Sequence, residues 1–239
     1  MTRIAAPLIV TLVSLGILIS LGTWQLQRLE WKNGILNAIE RGIAKPPRPI
    51  DTVIAEADDP ANAAFSHVAA TGVFDHEGEL YLFGSAPGQP PGYRVVTPLM
   101  REGAPPLLVI RGSVPEALRD PSARREGQIE GEVTVTGLLR STEEKGMFGA
   151  DNDIAGNLWF HRDVAAMAEA SGHPGALPVM IEAANVNVPG GWPRGRDPQE
   201  VHDVIPNRHL EYAITWYAMA VVMVVIAALF IRGRLRTEG

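Results

Sequence analysis

The sequence predicts an α+β membrane protein in which two transmembrane helices flank an extracytoplasmic, mainly antiparallel β domain, barrel-like or sandwich-like. Three observations carry that reading. No charge stands between Arg3 and Arg28, so Ile4 to Gln27 is one apolar run. A second uncharged run, Tyr212 to Ile231, closes on Arg232, Arg234 and Arg236. Between them lie short β-branched or aromatic segments bounded by Gly, Pro or Asp, the pattern of strands with tight connections.

About 20 apolar residues rising 1.5 Å each cross a hydrocarbon core of roughly 30 Å. Residues 4–27 and 207–231 are therefore expected to span. The first run is longer than a signal peptide's apolar region of roughly 7–15 residues. Trp24-Gln25-Leu26-Gln27-Arg28 follows it in place of a small-x-small cleavage pattern, so an uncleaved anchor is expected. Arg3 and the basic tail, residues 232–239, argue for two cytoplasmic termini, with Arg28 and Lys32 pulling the other way. Residues 28–206 would then lie outside the cytoplasm. No Arg- and Ser-rich presequence stands ahead of the first span, which points to a bacterial inner membrane.

Within the middle segment, Leu29, Leu36, Ile39 and Ile43 recur at helical spacing, so an amphipathic helix over 28–45 should leave the first span. Lys45-Pro46-Pro47-Arg48-Pro49 should end it. Residues 50–64 read as a loop or short helix. Strands are expected at His67–Phe74, Glu79–Ser85, Tyr93–Met100, Leu107–Val114, Glu132–Arg140, Asn157–His161 and Pro178–Ala183. Most connections are too short to hold helices, which favours antiparallel pairing. One helix, Asp163–Ser171, has Asp163 as N-cap and Gly172 past its end. Val68 to Phe74 echoes Val133 to Leu139: the two strands are equivalent in a pseudo-symmetric barrel, or valine, threonine and glycine merely recur as they do in any β protein. The Gly- and Pro-rich stretch Gly190-Gly191-Trp192-Pro193-Arg194 reads as a loop near a membrane surface.

Composition excludes several functions. Net charge is −6 with no basic block in the middle, so nucleic acid is not an expected partner. There is no cysteine, no Gly-x-Ser-x-Gly elbow and no phosphate-cradling Gly-rich loop, and an enzyme is not expected. Asp151-Asn152-Asp153 begins like a calcium loop, but Arg162 stands where a bidentate Glu is needed, so a turn is expected. His161, His173 and His202 are scattered and lack helical metal-site spacing.

The start of the second span is different. Asn207 suits an N-cap. From there His209, Tyr212 or Ala213, and Trp216 fall on one helical face. Trp24, Gln25 and Arg28 leave the first span at the same membrane level. Gly16-x-x-x-Ser20, Ala213 and Ala220 offer small surfaces for close helix packing. Two readings follow from the chemistry. Trp and Tyr belts with a histidine among headgroups occur at most membrane boundaries. Alternatively, a neutral imidazole at His209 ligates haem iron, with Tyr212, Trp216 and Trp24 flanking the macrocycle and Arg28 or Arg208 meeting its propionates. The interfacial belt is the commoner of the two.

Several ordered blocks carry a family resemblance over nearly the whole chain. They are Gly22-x-Trp24-Gln25-x-x-Arg28 with Lys32, Gly92-Tyr93-x-Val95-x-Thr97-Pro98-Leu99, Leu108-Val109-x-Arg111-Gly112-x-Val114-Pro115, Gly137-Leu138-Leu139-Arg140, and Asn207-Arg208-His209-Leu210-x-Tyr212-Ala213-x-Thr215-Trp216-Tyr217. Together they resemble the surfeit-locus-one, or Shy-type, family of cytochrome c oxidase assembly factors. Ser113 departs from the family pattern, where a Trp follows the Arg-Gly pair. The resemblance implies a haem a chaperone that takes haem a from haem A synthase and delivers it to oxidase subunit I, with His209 as the iron ligand and Trp216 and Trp24 lining the pocket. The alternative is a cofactor-free membrane scaffold that grips an oxidase subunit during assembly.

Overall fold

The computed structural model describes residues 2–84, 91–143, 145–147, 149–184, 188–195 and 207–237. His202, Ser85 and Arg196 lie outside them. The chain divides into two compact units: Met1–Asn37 with Pro206–Gly239, and Ala38–Ile205.

Helix α1 runs unbroken over Thr2–Ile43, so the expected span and the expected amphipathic helix are one element. Pro46 and Pro47 follow its end, since neither can donate the backbone bond that continuation needs. After it come β1 (Arg48–Pro49), α2 (Ile50–Ala55), β2 (His67–Phe74), β3 (Leu80–Phe83), β4 (Gly92–Met100), β5 (Leu107–Pro115), β6 (Glu132–Arg140), α3 (Val164–Ala170), β7 (Met180–Ala183) and α4 (His209–Thr237).

The strands form one sheet in the order β1-β2-β6-β7-β5-β4-β3. A further antiparallel pairing sets Val73 of β2 against Met100 of β4 and Phe74 against Leu99, which closes β2, β6, β7, β5 and β4 into a ring. The sheet is thus barrel-like rather than a sandwich. Its pairings are antiparallel except β5 with β7 and β1 with β2. At the closure a Cβ on Gly72 would lie 2.3 Å from the carbonyl oxygen of Met100; only glycine lets the two backbones approach that far.

The echoing strands β2 and β6 are neighbours. Val68 faces Gly137, Ala70 faces Val135 and Gly72 faces Val133. This register is a local two-fold about Ala70 and Val135, the leading Val of each echo opposing the other strand's Gly.

Alternation decides which side chains fill the barrel. Val68, Leu99, Val109, Leu139 and Ile181 share one core cluster. Leu82, Val96, Leu108, Ile110 and Met180 point the other way, into a second cluster with Trp159, Val164 and Met167. Strand β5 is buried on both faces from Leu107 to Ile110, which explains its continuous apolar run. Helix α3 supplies the outer cover; Asp163 caps it by accepting from the backbone N–H of Ala166 at 3.1 Å.

One expected strand is absent. Across 157–161 only isolated bridges form, Leu82 with Trp159 and Asp153 with Leu158. The reason is local competition: Oδ1 of Asn152 accepts from the backbone N–H groups of Phe160 and His161 at 2.8 and 3.1 Å. The 151–156 stretch is a turn, as its sequence predicts.

Candidate functional site

Helices α1 and α4 are the two helices of the described residues long and apolar enough to cross a membrane. They pack antiparallel. On α4 the least exposed positions are His209, Ala213, Trp216, Ala220, Met223, Ala227 and Ile231, in steps of four and three, with Tyr217 beside Trp216. On α1, Ser14, Leu18, Leu21, Gln25, Leu29 and Lys32 repeat the same rhythm. This is the spacing of a coiled-coil seam. Ala213 and Ala220 are buried in it, at 1% and 7% exposure. Gly16 has nothing within 4 Å of where its Cβ would be and both it and Ser20 are exposed, so the expected Gly16–Ser20 surface takes no part; Gly22 does that work instead.

Three polar contacts cross the seam near its upper end. Thr23 Oγ1 and the Tyr217 hydroxyl are 3.1 Å apart. Nδ1 of His209 lies 2.7 Å from Oε1 of Gln25. The Asn207 amide donates to Oδ1 of Asn33 at 2.8 Å. Asn207 is therefore not the cap that the sequence predicts: α4 begins at His209, and the Asn207 side chain reaches across to α1. Its Oδ1 is buried without a partner.

His209 is the first residue of α4 and is half-buried. Trp216 is also half-buried, seven residues along the same face. Tyr212 and Trp24 are 53% and 51% exposed, so they border the seam rather than fill it. Arg28 is exposed and lies over the Trp31 ring at 4.1 Å. Arg208 pairs with Glu211 at 3.6 Å, both largely in the open, a contact of small energetic weight. The sequence thus places His209, Trp216, Tyr212, Trp24, Arg28 and Arg208 at one end of the helix pair, and only His209 and Trp216 sit on the seam. Gln25 was missed as the partner of His209, as were Thr23 and Tyr217. The available signal was an uncharged polar residue inside an apolar run, which in lipid seeks an interhelical bond. Lower down, the helices leave an apolar groove of about 910 Å³ lined by Leu8, Thr11 and Leu12 with Ile214, Ala218 and Val222.

The β unit has its own polar concentration. The Arg124 guanidinium donates to the Glu79 carboxylate, both nearly fully buried. The Tyr81 hydroxyl donates to the same carboxylate at 2.8 Å, and burial next to it raises the Tyr81 phenol's pKa. Arg111 is the extra residue of a bulge: Val95 faces Gly112 while Val96 faces Ile110. A bulge re-aims its side chain, and here Arg111 turns inward, bonded to the Gly127 carbonyl and lying 4.5 Å over the Phe74 ring. Burial lowers the pKa of its guanidinium to about 10, opposed by Glu79 and reinforced by Arg124. Gly112 follows at φ 145°, where a Cβ would collide with the Arg194 backbone. Ser113 exchanges backbone hydrogen bonds with Arg194, both 2.9 Å. Trp192, in the stretch read as a loop, packs half-buried against the cluster of Tyr81, Tyr93, Val95 and Val114.

Two paired helices long and apolar enough to cross a membrane, with a polar layer at one end, on a chain that also folds a barrel-like β sheet, define a two-helix protein with a β-barrel-like unit. The SURF1 family profile matches residues 12–221, and the chain belongs to that family. It is 34% identical to surfeit locus protein 1 of Homo sapiens over 217 residues, covering 84% of this chain and 69% of the human one. It is 32% identical to surfeit locus protein 1 of Takifugu rubripes, covering 83% and 86%. A SURF1-like protein of Monosiga brevicollis is 35% identical, covering 84% and 78%.

Proposed function

We propose that this protein is an assembly factor for cytochrome c oxidase that holds haem a at the end of its helix pair, receives it from haem A synthase and passes it to oxidase subunit I. The reading places both termini in the cytoplasm of a bacterial cell, the β unit outside the inner membrane, and membrane lipid around the two spans. It is a binding and delivery role, without a catalytic residue.

The observation that carries it is the state of His209. Its Nδ1 is taken by Gln25, and among the described residues its Nε2 meets no hydrogen-bond partner. A neutral imidazole with one nitrogen engaged and the other open is the form that ligates iron. Aromatic residues on which a flat macrocycle would stack lie at the same end of the pair: Trp216 seven residues along the seam, and Trp24 and Tyr212 as exposed apolar borders. Among the described residues Arg208 is tied to an exposed Glu211, a weak surface pair that would yield its guanidinium to a propionate. Haem, if bound, would supply an iron, and the His209 imidazole would be the residue that holds it. One such ligand at a half-exposed site suits a carrier that must also release.

The cofactor-free scaffold has its own support. Phe83 and Phe160 sit 5.6 Å apart on the β unit, 53% and 37% exposed, an apolar spot able to touch a folding subunit. The test separates the two. The protein is purified after co-expression with haem A synthase and its optical spectrum recorded, then again for His209→Ala. A haem a spectrum lost in the variant supports the carrier. A spectrum unchanged in the variant eliminates His209, and no haem from the wild type leaves the scaffold.

A further inference from the structure

We infer that Gln25 is the positioning residue that fixes the tautomer of His209, so that Nε2 is the ring nitrogen presented to a ligand. The tautomer claim stands on the helix pair alone; its use toward iron rests on the function proposed above.

The geometry sets up a directed bond. Oε1 of Gln25 is an acceptor only, 2.7 Å from Nδ1 of His209, so Nδ1 carries a proton, and a neutral ring in this contact keeps its lone pair on Nε2. Gln25 is half-buried on the seam, three residues past Gly22, whose missing side chain makes room for the Tyr217 ring. His209 opens α4, and the bond to Gln25 is the side-chain contact that orients its ring. A ligating histidine generally gives its second N–H to an acceptor that fixes the ring and raises its basicity, and losing that acceptor costs roughly 10–100-fold in metal affinity. Carboxylate and carbonyl acceptors are the common ones; a glutamine carbonyl serves within an apolar span because it brings no charge.

The test begins without haem. Full-length protein labelled with nitrogen-15 at histidine is placed in lipid nanodiscs, with His209→Ala assigning the signal. The wild type should show His209 protonated at Nδ1, and Gln25→Leu should move the population toward the Nε2-protonated form. Gln25→Glu, which keeps an acceptor, should restore the Nδ1 form. A wild-type His209 protonated at Nε2, or a tautomer unmoved by Gln25→Leu, overturns the inference.

The second arm co-expresses haem A synthase. Gln25→Leu should lose haem roughly 10-fold or more and lower the iron–histidine stretching frequency, and Gln25→Glu should raise that frequency. Wild-type protein without haem would sink the carrier reading while leaving the tautomer result standing. Full haem content with an unshifted stretch in Gln25→Leu would sink the positioning role while leaving His209 as ligand.

Discussion

Tyr217 fills the space that Gly22 leaves open: a Cβ on residue 22 would stand 2.9 Å from Cζ of that ring, and the ring's hydroxyl meets Thr23 at 3.1 Å. Helix contact here depends on a missing side chain, one layer from the His209–Gln25 bond. Gly22→Leu should therefore push the helices apart, at about 1–3 kcal/mol of overpacking. The chain has no cysteine, so Asn33→Cys with Asn207→Cys can be joined by a short thiol cross-linker as a proximity readout. Cross-linking should fall several-fold in Gly22→Leu, and assembled oxidase should fall with it. Gly16→Leu, which meets open space, should change neither. Equal yields in all three backgrounds would dismiss the close-packed seam.

In the β unit, the Glu79–Arg124 pair is 3% and 1% exposed at the side chains. Arg124→Met strands a buried carboxylate and should cost about 3–5 kcal/mol, seen as a lower melting temperature of the full chain in detergent. The double variant Glu79→Gln with Arg124→Met should recover much of the loss, because the desolvated charge goes too. Tyr81→Phe should cost only about 1 kcal/mol, one hydrogen bond. If Arg124→Met melted with the wild type, the pair would not be holding the barrel's end together.

How much of this was legible in sequence depended on range. Local patterns read well: β2 and β6 have the expected limits, α3 has its Asp163 cap, and both apolar runs are helices. Closure of the barrel did not read, because the β2–β4 pairing turns on a glycine's absent Cβ at residue 72. The 157–161 segment misled because Asn152 diverts its backbone. The Arg-Gly pair at 111–112 falls inside the expected strand, but the bulge there, which turns Arg111 inward, was not legible. At the candidate site, His209 and Trp216 were visible from helical periodicity, while Gln25 needed a partner 184 residues away.

A pH dependence follows from Asp75. Nε2 of His173 donates to its carboxylate at 2.8 Å, and that bond lowers its pKa below the usual carboxylate value, with burial acting the other way. A carboxyl depressed in the folded state stabilises the fold above its unfolded value of about 3.9 and loses that contribution as pH falls through the folded one. Melting temperature should therefore drop below about pH 4 in the wild type, and Asp75→Asn should flatten that part of the curve. A variant with the same acid slope would remove Asp75 as a contributor.

Charge is concentrated at the far end of α4, where Arg232, Arg234 and Arg236 follow the apolar stretch. Lys and Arg flanking short tails stay on the cytoplasmic side, so alkaline phosphatase fused after Gly239 should be inactive in a bacterial host. The same enzyme inserted at Gly103, an exposed turn at φ 65° with open space around it, should be active, since the β unit would lie outside. Activity at the C-terminus with none at Gly103 would reverse the topology. It would also put the His209 end of the helix pair on the cytoplasmic face, where a carrier would have to meet its donor from the other side.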